Sequence, residues 1–272
     1  MRFALIDNNR VEAQPKQQGL CPICSQPVIA KCGNKKVWHW AHRGIISCDS
    51  WWEPETEWHR NWKNNYPTEW QEIVLFDEQT GEKHIADVQT IHNLVMEFQH
   101  SAMKPEERIS REKFYKNMLW VVDGTRLQRD YPRFHKGMEN FRRTNQQGVY
   151  FVDFPDEVFP KSWLNSTVPV IFDFCGLSTS EQNEIKNTLW CLLPQKDVTR
   201  AVVVGLRKND FVQITHNRGQ LFIENDKSQQ KPIHPKQQII LQPKRIMRRE
   251  PLIDWIQRKQ ASGKWKPRRK KW

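Results

Sequence analysis

Between Trp70 and Gly124 the chain repeats short apolar segments broken by turn residues, then adds a charged helix-forming run. No other feature limits the fold as much. "WQEIVLFD" (70–77), "HIADVQTI" (84–91) and "NLVMEFQHS" (93–101) read as strands. The first two are joined by the turn "EQTGEK", so together the three form a meander with short connections. "KPEERISREKFYKN" (104–117) reads as a helix led by acids, and "MLWVVDG" (118–124) as an apolar strand ended by Gly124. Upstream, "EPETEWHRNWKNNY" (53–66) places Trp58, Trp62 and Tyr66 at helical spacing before Pro67 stops it. Helix, three strands, helix and strand predict a mixed α/β core.

The third strand is unusual. Its apolar residues Leu94, Val95, Met96 and Phe98 surround Glu97 and Gln99. Side chains alternate along a strand, so these two polar groups share one face and must meet water, a partner or a metal. Asp87 of "IADV" lies on the preceding strand, where it can approach Glu97. Two carboxylates on neighbouring strands suit a hard divalent cation beside a phosphate. Bland roles compete: Asp87 as a charge on a half-exposed strand, Glu97 as the partner of Arg108 or Arg111 in a structural ion pair, and Glu57 as a cap with Glu53 and Glu55.

The first 50 residues hold Cys21, Cys24, Cys32 and Cys48. "CPIC" supplies Cys21 and Cys24, and after 14 intervening residues "HWAH" supplies His39 and His42. Two thiolates and two imidazoles can complete a tetrahedral structural zinc site, with Cys48 able to displace one histidine. Four protein ligands leave no open position for substrate, so such a metal would hold the block together. Cys175 and Cys191 stand apart, in apolar surroundings that suit buried hydrophobes.

The formal net charge of +12 is concentrated in the tail. From Lys227 to Trp272 there are 15 Lys or Arg against Glu250 and Asp254, leaving 28 basic and 29 acidic residues before it. Arg258, Lys259, Lys264, Lys266, Arg268, Arg269, Lys270 and Lys271 interleave with Trp255, Trp265 and Trp272. Cations among aromatic side chains suit phosphate neutralisation and base stacking. Five prolines in this stretch predict partial disorder until a partner binds. The chain lacks a run of about 18 apolar residues, and "MRFALIDNNR" lacks a signal peptide's apolar core and cleavage site. A cytoplasmic protein with no membrane partner is the expectation.

Residues 125–226 carry fewer signals. "DYPRFHKGMENFRRTNQQ" (130–147) reads as a helix or a DNA-facing insertion. "GVYFVDF" (148–154), "VPVIFDF" (168–174), "RAVVVGL" (200–206) and "NDFVQIT" (209–215) read as strands, and "STSEQNEIKNTLWCLLPQ" (178–195) as a helix with a Ser/Thr start and Pro194 after it.

The ordered set "LCPIC", "HWAH", "ETEWH", "IADV", "MEFQHS" and "REKFYKNMLWVVDG" resembles the CoiA-type competence proteins, whose core is similar to PD-(D/E)XK restriction-endonuclease-like nucleases. The resemblance covers about residues 1–124. It implies a restriction-endonuclease-like mixed sheet flanked by helices, behind a small zinc-ribbon-like module. It also implies a site in which Asp87 and Glu97 hold Mg²⁺ or Mn²⁺, Gln99 stands where the general pattern has Lys, and Glu57 adds a carboxylate. Ala86 replaces the pattern's Pro. His59, Arg108 and Tyr115 would orient phosphate or brace the site.

The expected organisation is a zinc-binding module over 1–50, a nuclease-like domain over 51–226 and a basic nucleic-acid-binding tail over 227–272. The expected activity is metal-dependent endo- or exonucleolytic hydrolysis of DNA, in processing incoming or foreign DNA. The alternative is an inactive DNA-binding adaptor that uses the zinc module and tail. DNA is the expected partner, with a protein partner or homo-oligomer left open.

Overall fold

The computed structural model describes residues 1–44, 48–176, 183–195 and 199–222. The eight tail cations named above, and the disorder expected around them, lie outside the described residues. Two sheets are present, joined by helices of modest length.

The first sheet comprises β1 (Phe3–Ile6), β2 (Asn9–Glu12), β3 (Gln18–Leu20), β4 (Pro27–Lys31) and β5 (His39–His42), in the order β2-β1-β3-β4-β5. Asp7 and Asn8 close the β1–β2 hairpin with φ of 48° and 63°. These two residue types tolerate the left-handed region that a two-residue hairpin needs. A small core of Met1, Ala4, Ala13, Cys21, Val28 and Trp40 fills one face of the sheet.

Next comes α1 (Glu57–Lys63), which begins in a capping box. The Thr56 hydroxyl accepts from the His59 backbone N–H, and His59 Nδ1 accepts from the Thr56 N–H at 3.3 Å. The second sheet starts with the expected meander of β6 (Gln71–Phe76), β7 (Lys83–Gln89) and β8 (Val95–Gln99). There follow α2 (Pro105–Tyr115), β9 (Met118–Asp123), α3 (Asp130–Gly137), β10 (Phe141–Arg143) and β11 (Val149–Asp153). The short α4 (Pro155–Val158) and α5 (Lys161–Leu164) precede β12 (Val170–Asp173). The chain continues through α6 (Glu184–Asn187), β13 (Thr188–Leu192), β14 (Arg200–Arg207) and α7 (Lys208–Asn217).

The strand order is β10-β11-β14-β13-β12-β9-β8-β7-β6. At its centre β8, β9 and β12 run parallel, and the other neighbours are antiparallel. Parallel neighbours need crossovers, which α2 and the α3–α5 region supply. Both faces are therefore covered, and β9 is buried along its whole length. Trp120 and Val122 face one core with Phe134, Trp163 and Phe172. Leu119 and Val121 face the other with Trp58, Trp62, Met96 and Phe211. Each such large apolar side chain contributes about 1.5–3 kcal/mol when fully buried.

The helix α1 is pinned by one buried carboxylate. Trp58 Nε1 and Trp62 Nε1 donate to Asp173 Oδ2 at 3.0 and 2.9 Å, one turn apart on the helix and both aimed at the end of β12. Gly124 is required where β9 ends beside this point, because a Cβ there would lie 2.4 Å from Phe174 Cδ1.

Two sequence expectations fail in the second half. The helix expected over 178–195 is present only as α6, and from Thr188 the chain is strand β13; residues 178–182 lie outside the described residues. The run "TLWCL", apolar after its first residue, fills a buried slot between β12 and β14. Conversely, "NDFVQIT" belongs to α7, which buries Phe211 and Thr215 four residues apart. The Tyr66 hydroxyl and Thr215 Oγ1 lie 2.9 Å apart at that contact. Among the described residues no helix is long and apolar enough to cross a membrane.

Candidate active site and metal centre

Cys21, Cys24, His42 and Cys48 converge at one edge of the first sheet, their ligand atoms all within 4.8 Å of one another. Cys21 Sγ lies 3.5 Å from Cys48 Sγ, Cys24 Sγ 3.3 Å from His42 Nε2, and Cys48 Sγ 3.7 Å from His42 Nε2. Zinc–sulfur bonds of about 2.3 Å put tetrahedral ligand edges near 3.8 Å, so the four groups fit a zinc ion. Burial, then its contact with Cys21, pushes the Cys48 thiol up, and burial pushes Cys21 up. Zn²⁺ would hold them as thiolates.

His39 is not part of this cluster. It and His42 are three apart on strand β5, so they point to opposite faces, and His39 Nδ1 instead lies 2.8 Å from the Val37 carbonyl oxygen. H-x2-H spacing brings two imidazoles together on a helix, but this segment is a strand. The fourth corner is Cys48.

The second site lies where α1 crosses the meander. The β7–β8 register pairs Val88 with Met96, so the next position sets Asp87 opposite Glu97. Here side chains replace the backbone ladder. The Asp87 N–H donates to Glu97 Oε1 at 3.2 Å, and the Phe98 N–H to Asp87 Oδ2 at 3.0 Å. The carboxylates thereby satisfy backbone donors that the parted strands leave free.

Glu97 is 3% exposed. Burial, then the neighbouring Asp87 carboxylate, pushes its pKa up to about 8, although Arg111 Nη1 lies 3.0 Å from its Oε2. On the other side of Asp87, Lys63 Nζ is 3.6 Å from Oδ1, 2.8 Å from Glu55 Oε1 and 3.1 Å from Glu72 Oε1. These carboxylates overcome the desolvation that would discharge the lysine, and its pKa is raised. Burial alone would raise Glu72, but Lys63 and the Arg2 and Phe3 backbone N–H groups hold it down at about 2.

Gln99, 2% exposed, donates from Nε2 to Glu53 Oε1 at 2.6 Å and to the Ser101 carbonyl oxygen at 3.1 Å. The buried His59 ring also lines the cleft. Burial lowers its pKa, so it is neutral at neutral pH. Because Nδ1 accepts from the Thr56 N–H, its proton sits on Nε2.

These groups line a cleft of about 70 Å³, room for a few water molecules. Six carboxylates line it (Asp49, Glu53, Glu55, Glu72, Asp87 and Glu97) against the side-chain cations Lys63 and Arg111. Oxygen donors with an excess of negative charge fit a hard divalent cation.

Of the residues singled out in the sequence, Asp87, Glu97, Gln99 and His59 meet in this cleft. Glu57 does not: it is exposed in the first turn of α1. Glu55, His59 and Lys63, each four residues apart, carry the inward-facing chemistry. His59 and Lys63 share a face of α1 because residues i and i+4 lie one above the other, whereas Glu55 precedes the Thr56 N-cap and reaches Lys63 Nζ from outside the helix. Arg108 is also elsewhere. Its Nη1 is 2.6 Å from Glu112 Oε1, in a buried network with Trp120, Ser166 and Thr167. The arginine at the cleft is Arg111, one turn closer to Glu97. Tyr115 is buried beside it, edge-on to Trp51, and burial and then Glu97 raise its pKa.

Residues 5–50 match the family described as competence protein CoiA, N-terminal domain. No curated protein and no solved structure matches the chain.

Proposed function

From the similarity of residues 5–50 to the N-terminal domain of the competence protein CoiA, we propose that the chain is a metal-dependent nuclease acting on incoming or foreign DNA. The observation that carries this reading is the Asp87–Glu97 pair. A buried carboxylate, Glu97, faces the half-buried Asp87 across adjacent strands, and burial, then the Asp87 charge, pushes the Glu97 pKa up to about 8. Asp87 and Glu97 would hold Mg²⁺ or Mn²⁺, and a cation bound there would lower the pKa of water and stabilise charge on the phosphate.

The chain's own residues supply the rest. Lys63 brings to Asp87 the positive charge that Gln99 cannot, from the helix and not from the strand. Gln99, fixed by Glu53 and Ser101, positions a water or phosphate oxygen by hydrogen bonding. His59 offers an Nε2–H to the same cleft. The zinc cluster secures the first sheet, and the basic tail adds sequence-independent attraction for the phosphate backbone. In this reading the large sheet is a restriction-endonuclease-like core.

A second reading is supported by the Arg111–Glu97 ion pair at 3.0 Å, which would close the site in an adaptor that binds DNA without cutting it. Cleavage of linear and circular, single- and double-stranded DNA, with and without Mg²⁺ or Mn²⁺, separates the two. The nuclease reading expects metal-dependent cleavage that Glu97→Ala abolishes. Binding without cleavage in every condition establishes the adaptor instead.

A further inference from the structure

A second cavity, of about 330 Å³, opens at the carboxyl ends of the parallel strands β8, β9 and β12. In open α/β sheets the carboxyl ends of parallel strands are where ligands collect, and this volume is at the lower end of small-ligand sites. Its floor is apolar, with Trp163, Phe172 and Phe174, and its rim is cationic.

Only part of the charge on that rim is paired among the described residues. Asp123 Oδ1 accepts from Thr125, and its Oδ2 lies 2.8 Å from His100 Nδ1. Asp130 is paired with Arg133 at 3.1 Å, and Lys161 has Asp156 at 3.8 Å. Arg126 and Arg129 are exposed, and neither forms an ion pair among the described residues. An apolar floor with two free guanidinium groups suits a planar base joined to a phosphate.

This cavity adjoins the carboxylate cleft. Gln99 lines the cleft, and its amide donates to Ser101, which lines the cavity. His100 lines the cavity too, with its ring centroid 6.1 Å from that of His59 in the cleft.

We propose that the cavity is a nucleotide subsite: it takes the nucleotide next to the scissile phosphodiester, with its base on the Trp163 floor and its phosphate at Arg126 and Arg129. The inference rests on the nuclease reading for its place in the reaction, but its binding chemistry can be tested without cleavage. A flanking nucleotide held this way must leave a stacked duplex, so the site favours single-stranded or frayed DNA.

The test is calorimetric titration of the full chain, without divalent cation, using dAMP, deoxyadenosine and a 5′-phosphorylated trinucleotide. The expected order is trinucleotide tightest, then dAMP, with deoxyadenosine weakest. Arg126→Ala with Arg129→Ala should weaken dAMP about tenfold or more. Ala102→Trp, which adds bulk at the mouth and no charge, should weaken both phosphorylated ligands. Equal affinity for dAMP and deoxyadenosine overturns the proposal, as does unchanged dAMP binding by the double variant. If dAMP binds through these arginines in a protein that cuts no DNA, the subsite stands and the nuclease reading falls. If the protein cuts DNA and ignores the phosphate of dAMP, the reverse holds.

Discussion

The two polar centres of this molecule are built on opposite principles. At the edge of the first sheet, Cys21, Cys24, His42 and Cys48 turn every donor inward on one point, and four protein ligands leave nothing for a substrate. In the cleft of the second sheet carboxylates outnumber cations: Asp87 shares Lys63 with Glu55 and Glu72, and Glu97 depends on Arg111. A centre whose demands are met within the chain supports structure. One left electrostatically unbalanced can bind and exchange ions, which chemistry requires.

Removing zinc should produce the largest effect. Structural zinc contributes about 10–16 kcal/mol of apparent binding energy, and the core of the first sheet is small. Cys48→Ser should lose one zinc per chain by mass spectrometry, with hydrogen exchange rising over residues 3–42. His39→Ala should keep its zinc. Retention of zinc by Cys48→Ser and its loss in His39→Ala would overturn the assignment of the fourth ligand.

The next largest effect belongs to the cleft. Lys63→Met should lower cleavage by roughly 10²–10³-fold if the lysine supplies the missing charge, while Glu57→Ala should leave it unchanged. Thermal unfolding of each variant separates lost chemistry from lost packing, because Lys63 also neutralises Glu55 and Glu72. Activity that survives Lys63→Met in a folded protein would remove Lys63 from the mechanism.

A buried polar network that touches neither centre provides the control. Glu112 accepts from Arg108, Trp120, Ser166 and Thr167. Glu112→Ala would strand the Arg108 charge, which is 3% exposed, and should cost about 3–5 kcal/mol in chemical denaturation. The purified variant should still bind zinc.

The same contrast explains what the sequence made legible. The meander β6–β8, helix α2 and strand β9 follow from local patterns, because each carries its own period and its own turn. Asp87, Glu97 and Gln99 were readable since polar residues in an apolar strand have few uses. The errors came from applying a motif without its geometry. Spacing alone pairs His39 with His42, but strand β5 sends them to opposite faces. Glu57 carries no cleft chemistry because it is exposed on the outer side of α1, whose inner face carries His59 and Lys63. Strand β13 and helix α7 are not legible locally because their surroundings, the slot beside β12 and the contact with Tyr66, are set by residues far away in the chain.

The smallest predicted effect is the most direct measure of the imbalance in the cleft. Glu97 has an ordinary carboxyl pKa of 4.5 when unfolded and about 8 when folded. The folded state therefore binds the extra proton between those values, and stability must fall as pH rises through this window. The neutral His59 opposes this slope, since its lowered pKa favours the folded state as pH rises through about 6.5. The informative quantity is thus the difference between wild type and Glu97→Gln, taken from unfolding midpoints at pH 5–9 without chelator, so that zinc is kept. Wild type should lose stability relative to the variant on going from pH 5 to 8. Added Mg²⁺ should restore it, and more at pH 8 than at pH 6, because the cation competes with that proton. Parallel curves would mean that Arg111 alone satisfies Glu97, making the cleft as closed as the zinc cluster.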